Sequence, residues 1–129
     1  MNKTLILMAL SLLSLFSCGS STKTFVSMPV DEFAKLIIEK DEVQLVDVRT
    51  KTEFDQSHIP GALNIDVMAE GFELKADELL NKTKKVALYC RSGGRSKKAA
   101  TILHEKGYKV YELDKGFISW ESSGNEIIQ

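Results

Sequence analysis

Several features are scarce in this chain of 129 residues, and each absence narrows what the protein can be. There are only two prolines, with no internal repeat or low-complexity tract, which argues against long disordered linkers. Lysine and arginine number 17 against 18 aspartate and glutamate, so the chain lacks the basic excess typical of nucleic-acid-binding proteins. The length is that of one domain, not two.

Residues that bind metals or phosphates are also few. His58 and His104 are the only histidines and lie far apart in the sequence. No Cys-x-x-Cys pair or carboxylate cluster accompanies them, as a metal site would require. A phosphate-binding P-loop motif is missing too. We therefore predict no metal site, no cofactor and no nucleic-acid partner.

The first 17 residues differ in composition from the rest and form a predicted signal peptide, residues 1–17. Lys3 supplies the positive start, and Leu5–Phe16 is an apolar run with the length of a secretion signal. A helix of that length rises about 18 Å, well short of the roughly 30 Å apolar core of a bilayer. A buried N-terminal helix is the alternative, but the run has no polar face.

Residues 15–18 (Leu-Phe-Ser-Cys) resemble the lipobox of bacterial lipoproteins, in which the cysteine is lipidated and becomes the new N-terminus. The resemblance implies a lipid on Cys18, a short polar tether over residues 18–24 and a folded domain over residues 25–129. The expected location is therefore extracytoplasmic, as a periplasmic lipoprotein anchored to a bacterial membrane. Cys90 is then the single free thiol, since the chain has two cysteines.

Apolar patterning in the domain predicts alternating strands and helices. Residues 43–48 and 85–89 are apolar on both faces, as buried parallel strands are. Residues 30–40 and 95–106 show the periodicity of helices. Shorter strands are predicted at residues 25–28, 62–65 and 109–113, and further helical segments at residues 51–56, 73–80 and 117–121. The alternation predicts an α/β domain with a mainly parallel sheet.

The densest chemistry of the sequence follows the strand at residues 85–89. Cys90 comes directly after this strand, at the edge of the sheet where α/β folds bind their ligands. Gly93 and Gly94 let the next turn curl tightly, so that successive N–H groups point toward one place. Those groups, a helix N-terminus and two arginines favour a thiolate over a thiol. We therefore predict that Cys90 is largely ionised at neutral pH, beside an anion-binding cradle.

The loop from Cys90 to Ser96 (Cys-Arg-Ser-Gly-Gly-Arg-Ser) resembles the active-site loop of the rhodanese family. Two further segments are similar to motifs of that family. Residues 45–49 (Leu-Val-Asp-Val-Arg) and 58–62 (His-Ile-Pro-Gly-Ala) resemble its upstream motif, and residues 113–120 its closing glycine-to-tryptophan motif. The similarity implies a rhodanese-like three-layer α/β/α domain with a mainly parallel central sheet.

This resemblance extends over residues 25–120, nearly the whole predicted domain, with two departures. Ser57 stands where the family commonly has glycine before the histidine, and Lys115 stands where a second glycine is common before Gly116. Neither residue is expected to touch the nucleophile. Lys115 is placed to alter the rim of the pocket and thereby the choice of sulfur acceptor.

The resemblance also implies a role for each residue of the loop. Cys90 is the nucleophile and carries the transferable sulfur as a persulfide. Arg91 and Arg95 are expected to bind the oxyanion end of the donor, although Arg95 has an alternative role in a structural ion pair. The backbone amides that form the cradle belong to Ser92, Gly93 and Gly94.

Three other residues are expected to support the site. Ser96 either orients the loop through its hydroxyl group or caps a turn of the helix. Asp47 and Arg49 follow a buried strand, and the resemblance suggests that they brace the pocket, with Asp47 holding the Cys90 loop. A local salt bridge or turn cap is an equal alternative for this pair.

The implied activity is that of a thiosulfate sulfurtransferase, with a small anionic sulfur donor and a thiol or cyanide acceptor. A protein is a further candidate for the sulfur acceptor. Three alternatives stay open: a persulfide carrier or protein-binding module without efficient thiosulfate turnover, a phosphatase or arsenate reductase, and a thiol–disulfide oxidoreductase. Four residues separate Cys90 from Arg95, one fewer than in the phosphatase relatives. The shorter loop is expected to suit a sulfur atom better than a phosphate group, which favours the sulfurtransferase over the phosphatase. The oxidoreductase would need a second free cysteine near Cys90.

Overall fold

The computed structural model describes residues 25–129. The predicted signal peptide of residues 1–17 and the tether of residues 18–24, with its lipidation site Cys18, lie outside the described residues. Within residues 25–129, none of the helices combines the length and the apolar character that a membrane crossing needs.

A five-stranded parallel sheet forms the centre of the domain. Its strands are β1 (Val26–Met28), β2 (Val43–Asp47), β3 (Leu63–Asn64), β4 (Lys85–Tyr89) and β5 (Val110–Leu113). Their order across the sheet is β1-β5-β4-β2-β3, and every pairing is parallel. Asp47 lies opposite Tyr89 in the register of β2 and β4, so the residues that follow both strands meet at the same edge.

Helices cover both faces of the sheet. They are α1 (Val30–Ile37), α2 (Lys51–Gln56), α3 (Phe72–Leu79), α4 (Gly94–Glu105) and α5 (Gly116–Ser122). Ala76 of α3 and Leu103 of α4 pack in one buried cluster, whereas Phe33 of α1 and Trp120 of α5 pack in the other. The side chains of β4 alternate between the two clusters, which is the period of a strand buried on both faces. The predicted three-layer α/β/α fold is confirmed.

The bounds of the elements agree with the predicted ones to within one residue, except at the end of α1. This helix was expected to reach Lys40, and it ends at Ile37. The N–H of Glu39 donates to the carbonyl of Leu36, and the N–H of Lys40 donates to the carbonyl of Ile38. These short-range bonds tighten the chain into a turn, because β2 begins at Val43 and the backbone must reverse before it.

Candidate active site

Strand β4 and helix α4 place Cys90 at the carboxyl edge of the sheet. Cys90 follows the last residue of β4, and the residue is only 1% exposed. Gly93 adopts φ +108°, a left-handed conformation that favours glycine, and it turns the chain into α4. The N–H of Gly93 donates to Sγ of Cys90 at 3.1 Å. Of the three amides predicted to form the cradle, that of Gly93 thus donates directly to the sulfur.

The first turn of α5 holds this loop from outside. The N–H of Phe117 donates to the carbonyl of Cys90 at 2.8 Å, and that of Ile118 donates to the carbonyl of Arg91 at 3.1 Å. These bonds satisfy the carbonyls of Cys90 and Arg91, so the first turn of α5 holds the backbone of the loop in place. Gly116 permits the close approach, because a Cβ there would lie 2.4 Å from the carbonyl oxygen of Arg91.

The surroundings of Cys90 favour its thiolate form. Burial of the sulfur opposes ionisation, but hydrogen bonds from the hydroxyl of Ser96 and from the N–H groups of Ser96, Gly93 and Ser92 outweigh it. Together they hold the pKa of the Cys90 thiol below its ordinary value. A low pKa makes a cysteine more reactive at neutral pH, because the thiolate is the nucleophile.

Ser96 contacts the sulfur of Cys90 through its hydroxyl group. Its Oγ is 3.4 Å from Sγ of Cys90 and 3.1 Å from the carbonyl oxygen of Gly93, and the residue has no exposed surface. The third neighbour of this hydroxyl is a carboxylate oxygen of Glu112, at 2.7 Å. The position of Ser96 within α4 thus links the loop to the strand β5.

Arg95 forms a two-pronged ion pair with Glu53 of α2. Its guanidinium nitrogens donate to the two carboxylate oxygens at 2.6 and 3.0 Å. Glu53 also caps α2, because its carboxylate accepts from Thr50 while the Thr50 hydroxyl accepts from the N–H of Glu53. The Arg95 hydrogen bond lowers the pKa of Glu53 to about 2, although burial opposes the shift. The guanidinium of Arg95 therefore forms an ion pair with Glu53, as expected if Arg95 has the structural role that was the alternative to donor binding.

Arg91 has a different environment in the same loop. Its side chain is exposed, and no carboxylate of residues 25–129 forms an ion pair with it. Ser92 and Gly94 are exposed beside it, whereas Gly93 is buried. Two arginines were predicted to bind the donor. Arg95 is paired with Glu53, whereas the charge of Arg91 is exposed to solvent beside the Cys90 loop.

Asp47 and Arg49 form a buried ion pair with each other. Nη2 of Arg49 lies 2.7 Å from Oδ2 of Asp47, with side-chain exposures of 3% and 0%. Arg49 also donates to the carbonyl of Ser57 at 2.6 Å, and its guanidinium lies over the ring of Phe117, 4.4 Å from the centroid. Within residues 25–129, the carboxylate of Asp47 forms no hydrogen bond to the Cys90 loop. The pair supports the loop indirectly, through the rings of Tyr89 and Phe117.

One buried residue near the nucleophile is absent from the predicted site. Glu112 of β5 is 0% exposed, and its carboxylate accepts from Ser27 and Ser96 and pairs with Nζ of Lys97 at 2.9 Å. Lys97 also pairs with Asp114 at 2.9 Å. The signal in the sequence is a carboxylate in the middle of the strand predicted at residues 109–113, because a charged side chain that is buried in a sheet needs partners.

The strand–loop–helix geometry around Cys90 and the parallel sheet define a family of domains. The model of the family described as the rhodanese-like domain matches residues 29–123, and the chain belongs to this family. The predicted membership is therefore confirmed.

Individual relatives make the comparison more specific. A sulfurtransferase of Allochromatium vinosum is 33% identical over 99 residues, which cover 76% of this chain and 90% of that protein. The thiosulfate sulfurtransferase GlpE of Coxiella burnetii is 33% identical over 88 residues, covering 67% of this chain and 78% of that protein. Among solved structures, a rhodanese-related protein of Thermoplasma volcanium matches with a TM-score of 0.68 and 25% identity, covering 81% of this chain and 98% of that one.

Proposed function

We propose that this protein is a sulfurtransferase that moves sulfane sulfur from thiosulfate to a thiophilic acceptor through a persulfide on Cys90. The observation that carries the proposal is the N–H of Gly93, which donates to Sγ of Cys90 at 3.1 Å. The N–H groups of Ser92 and Ser96 also lower the pKa of the Cys90 thiol. Such a cradle stabilises a sulfur anion, whether thiolate or persulfide. Similarity to the thiosulfate sulfurtransferase of Coxiella burnetii supports thiosulfate as the donor.

In the first half-reaction the Cys90 thiolate attacks the outer sulfur of thiosulfate. The bond between Sγ and that sulfur forms while the S–S bond of the donor breaks, and sulfite leaves with the bonding electron pair. The persulfide carries its negative charge on the new terminal sulfur. In the second half-reaction, cyanide or a thiolate attacks this terminal sulfur, and the Cys90 thiolate is regenerated as the leaving group.

We expect thiosulfate to add one sulfur atom to Cys90, because the cradle stabilises both the attacking thiolate and the persulfide product. The test uses the full chain with Cys18→Ser, so that Cys90 is the single cysteine. Intact-mass spectrometry detects the adduct, and thiocyanate is followed after cyanide is added. Cys90→Ser in the same background is the control.

Each outcome of this experiment assigns a different function. An adduct that is confined to the Cys90 protein and yields thiocyanate supports the sulfurtransferase. An adduct that resists cyanide but passes to a protein thiol supports the persulfide carrier instead. A folded, reduced protein that forms no adduct with thiosulfate contradicts thiosulfate as the donor, and persulfide donors, phosphate esters and arsenate are then the next substrates to test.

Arg91 is expected to govern the binding of the anionic donor, because its charge is unpaired within residues 25–129 while Arg95 is held by Glu53. Arg91→Ala should raise the KM for thiosulfate about tenfold, the effect of losing one charged hydrogen bond, with less change in kcat. Steady-state kinetics measures both constants. Lys98→Ala removes an exposed charge elsewhere on α4 and should leave KM unchanged. Equal effects of the two substitutions would contradict a direct role for Arg91.

The proposal includes the location expected from the sequence, an extracytoplasmic lipoprotein anchored through Cys18. Its support is the apolar run of residues 5–16 and the lipobox-like residues 15–18. With the six residues 19–24 between the lipidated cysteine and the domain, the domain would work within about 20 Å of a membrane surface, because an extended residue spans roughly 3.3–3.6 Å.

A further inference from the structure

The hydroxyl group of Ser96 has one proton and three neighbours that accept hydrogen bonds. These are the carbonyl oxygen of Gly93 at 3.1 Å, the carboxylate of Glu112 at 2.7 Å and, when Cys90 is ionised, the thiolate at 3.4 Å. A hydroxyl group donates one hydrogen bond only. The shortest of the three contacts joins Ser96 to Glu112. The carboxylate and the thiolate therefore compete for the same proton.

The other oxygen of Glu112 is already occupied by donors. Oε1 lies 2.9 Å from Nζ of Lys97 and accepts the hydroxyl of Ser27. The side chain of Glu112 has no exposed surface, so water does not replace a lost partner. When Ser96 turns its proton to the sulfur, Oε2 of Glu112 loses its partner within a buried site. This loss disfavours the thiolate.

We propose that Glu112 is a positioning residue that sets the acidity of Cys90 by holding the proton of Ser96. The inference rests on the proposed function in taking Cys90 as the nucleophile. Glu112 competes with the thiolate for the hydroxyl of Ser96, which leaves the sulfur less stabilised than an uncontested hydrogen bond would. The negative charge of a persulfide lies on its terminal sulfur, one bond beyond the Sγ that Ser96 contacts. The restraint therefore acts on the thiolate more than on the persulfide, and it favours loading of the enzyme with sulfur.

Charged groups on the elements around Glu112 and Cys90 also act on the pKa of Cys90. Lys97 on α4 partly neutralises Glu112, and Asp114 at the end of β5 shares this lysine. β1 contributes only the uncharged Ser27. Near the sulfur, Arg95 on α4 has a favourable interaction with the ionised Cys90, and Arg91 precedes the turn. β2 ends in the Asp47–Arg49 ion pair, which carries no net charge.

Glu112→Gln should lower the pKa of Cys90 by about one pH unit, the value of one hydrogen bond to a charged group. Lys97 and Ser27 are donors, so they hold the amide oxygen at the Oε1 position and leave the amide NH₂ facing Ser96. The amide then donates to Ser96, whose proton turns to the thiolate. Ser96→Ala should raise the pKa of Cys90 by a smaller amount, because it removes a donor that the thiolate shares with Glu112.

The measurement is the pH dependence of Cys90 alkylation by iodoacetamide in the full chain with Cys18→Ser. It needs no sulfur donor, so it is independent of whether thiosulfate is a substrate. Glu121→Gln, an exposed carboxylate of α5, controls for the loss of one charge and should leave the profile unchanged. In Ser96→Ala/Glu112→Gln the downward shift should shrink, because the proton that Glu112 holds is gone.

Opposite shifts for Ser96→Ala and Glu112→Gln, with a Glu112→Gln shift that shrinks when Ser96 is alanine, support the proposal. A Glu112→Gln shift of undiminished size in the Ser96→Ala background overturns it, because the lost negative charge and not the Ser96 proton then accounts for the change. Shifts of the same sign, or an unchanged profile for Glu112→Gln, overturn it. Where Glu112→Gln does not fold, Lys97→Met replaces it: Glu112 then lacks its counter-charge, and the pKa of Cys90 should rise by about half a pH unit. A fall or no change with Lys97→Met overturns the proposal equally.

Discussion

Gly93→Ala should reduce persulfide formation by about 10²- to 10³-fold, the cost of removing one donor from an anion-stabilising site. Gly93 has φ +108°, and a Cβ there would lie 2.1 Å from the carbonyl oxygen of Asp114. The loop must shift to relieve this overlap, and the N–H of Gly93 then leaves Sγ of Cys90. Left-handed backbone adds about 1–2 kcal/mol of strain for alanine.

Gly94→Ala provides a matched control at the adjacent position. Gly94 is the first residue of α4, and a Cβ there would have no atom within 4 Å. Alanine keeps its N–H and suits a helix, so activity should stay within about twofold of the parent protein. Single-turnover mass spectrometry with thiosulfate measures both variants, with circular dichroism to verify folding. Comparable rates for the two alanine variants would contradict the role given to the Gly93 turn.

Arg49→Met should destabilise the domain by about 3–5 kcal/mol, because it leaves the carboxylate of Asp47 buried without a counter-charge. Asp47 has no exposed surface, so water does not replace the guanidinium. Asp47→Leu combined with Arg49→Met removes both charges and should recover at least half of the loss. Urea unfolding of the single and double variants gives the free energies of unfolding.

A surface pair of similar chemistry provides the comparison. Lys51 and Asp55 form an i,i+4 pair on α2 with side-chain exposures of 81% and 54%. Lys51→Ala should change the free energy of unfolding by less than about 0.5 kcal/mol, as is typical of exposed pairs.

The buried pair has its own contradicting outcome. If the double variant at positions 47 and 49 is as unstable as Arg49→Met, the loss comes from packing against Phe117 and not from the uncompensated charge of Asp47.

Most of the fold follows from patterns that short-range physics fixes. The strand β4 was predictable because Val86, Ala87 and Leu88 are apolar on both faces, which only a doubly covered strand requires. The end of α4 was predictable from Gly107, which has φ +98° and lies where Tyr108 donates to the carbonyl of Leu103. The end of α1 was not, because the turn that stops it depends on where β2 must begin.

The candidate site also has a part that the sequence predicts and a part that only the structure shows. Cys90, the glycine turn and the helix start are consecutive, so the sequence alone predicts the cradle. The partners of Arg95 and Ser96 come from α2 and β5, and no local pattern specifies which of two arginines a distant carboxylate will bind. Glu53 and Glu112 therefore emerge only when the topology places their elements beside the Cys90 loop.

The pairing of the first strand with the last has a consequence for the order in which the chain folds. Ser27 of β1 and Glu112 of β5 are 85 residues apart, so their contact closes nearly the longest loop in the domain. Long loops of this kind close late, because their entropy cost must be met before the contact forms. During synthesis from the N-terminus, β1 has no strand to join until β5 has been made. Glu112, which accepts from Ser96, thus gains the hydroxyl of Ser27 as a donor only near the end of folding. The pKa of Cys90 therefore reaches its final value only in a completed domain.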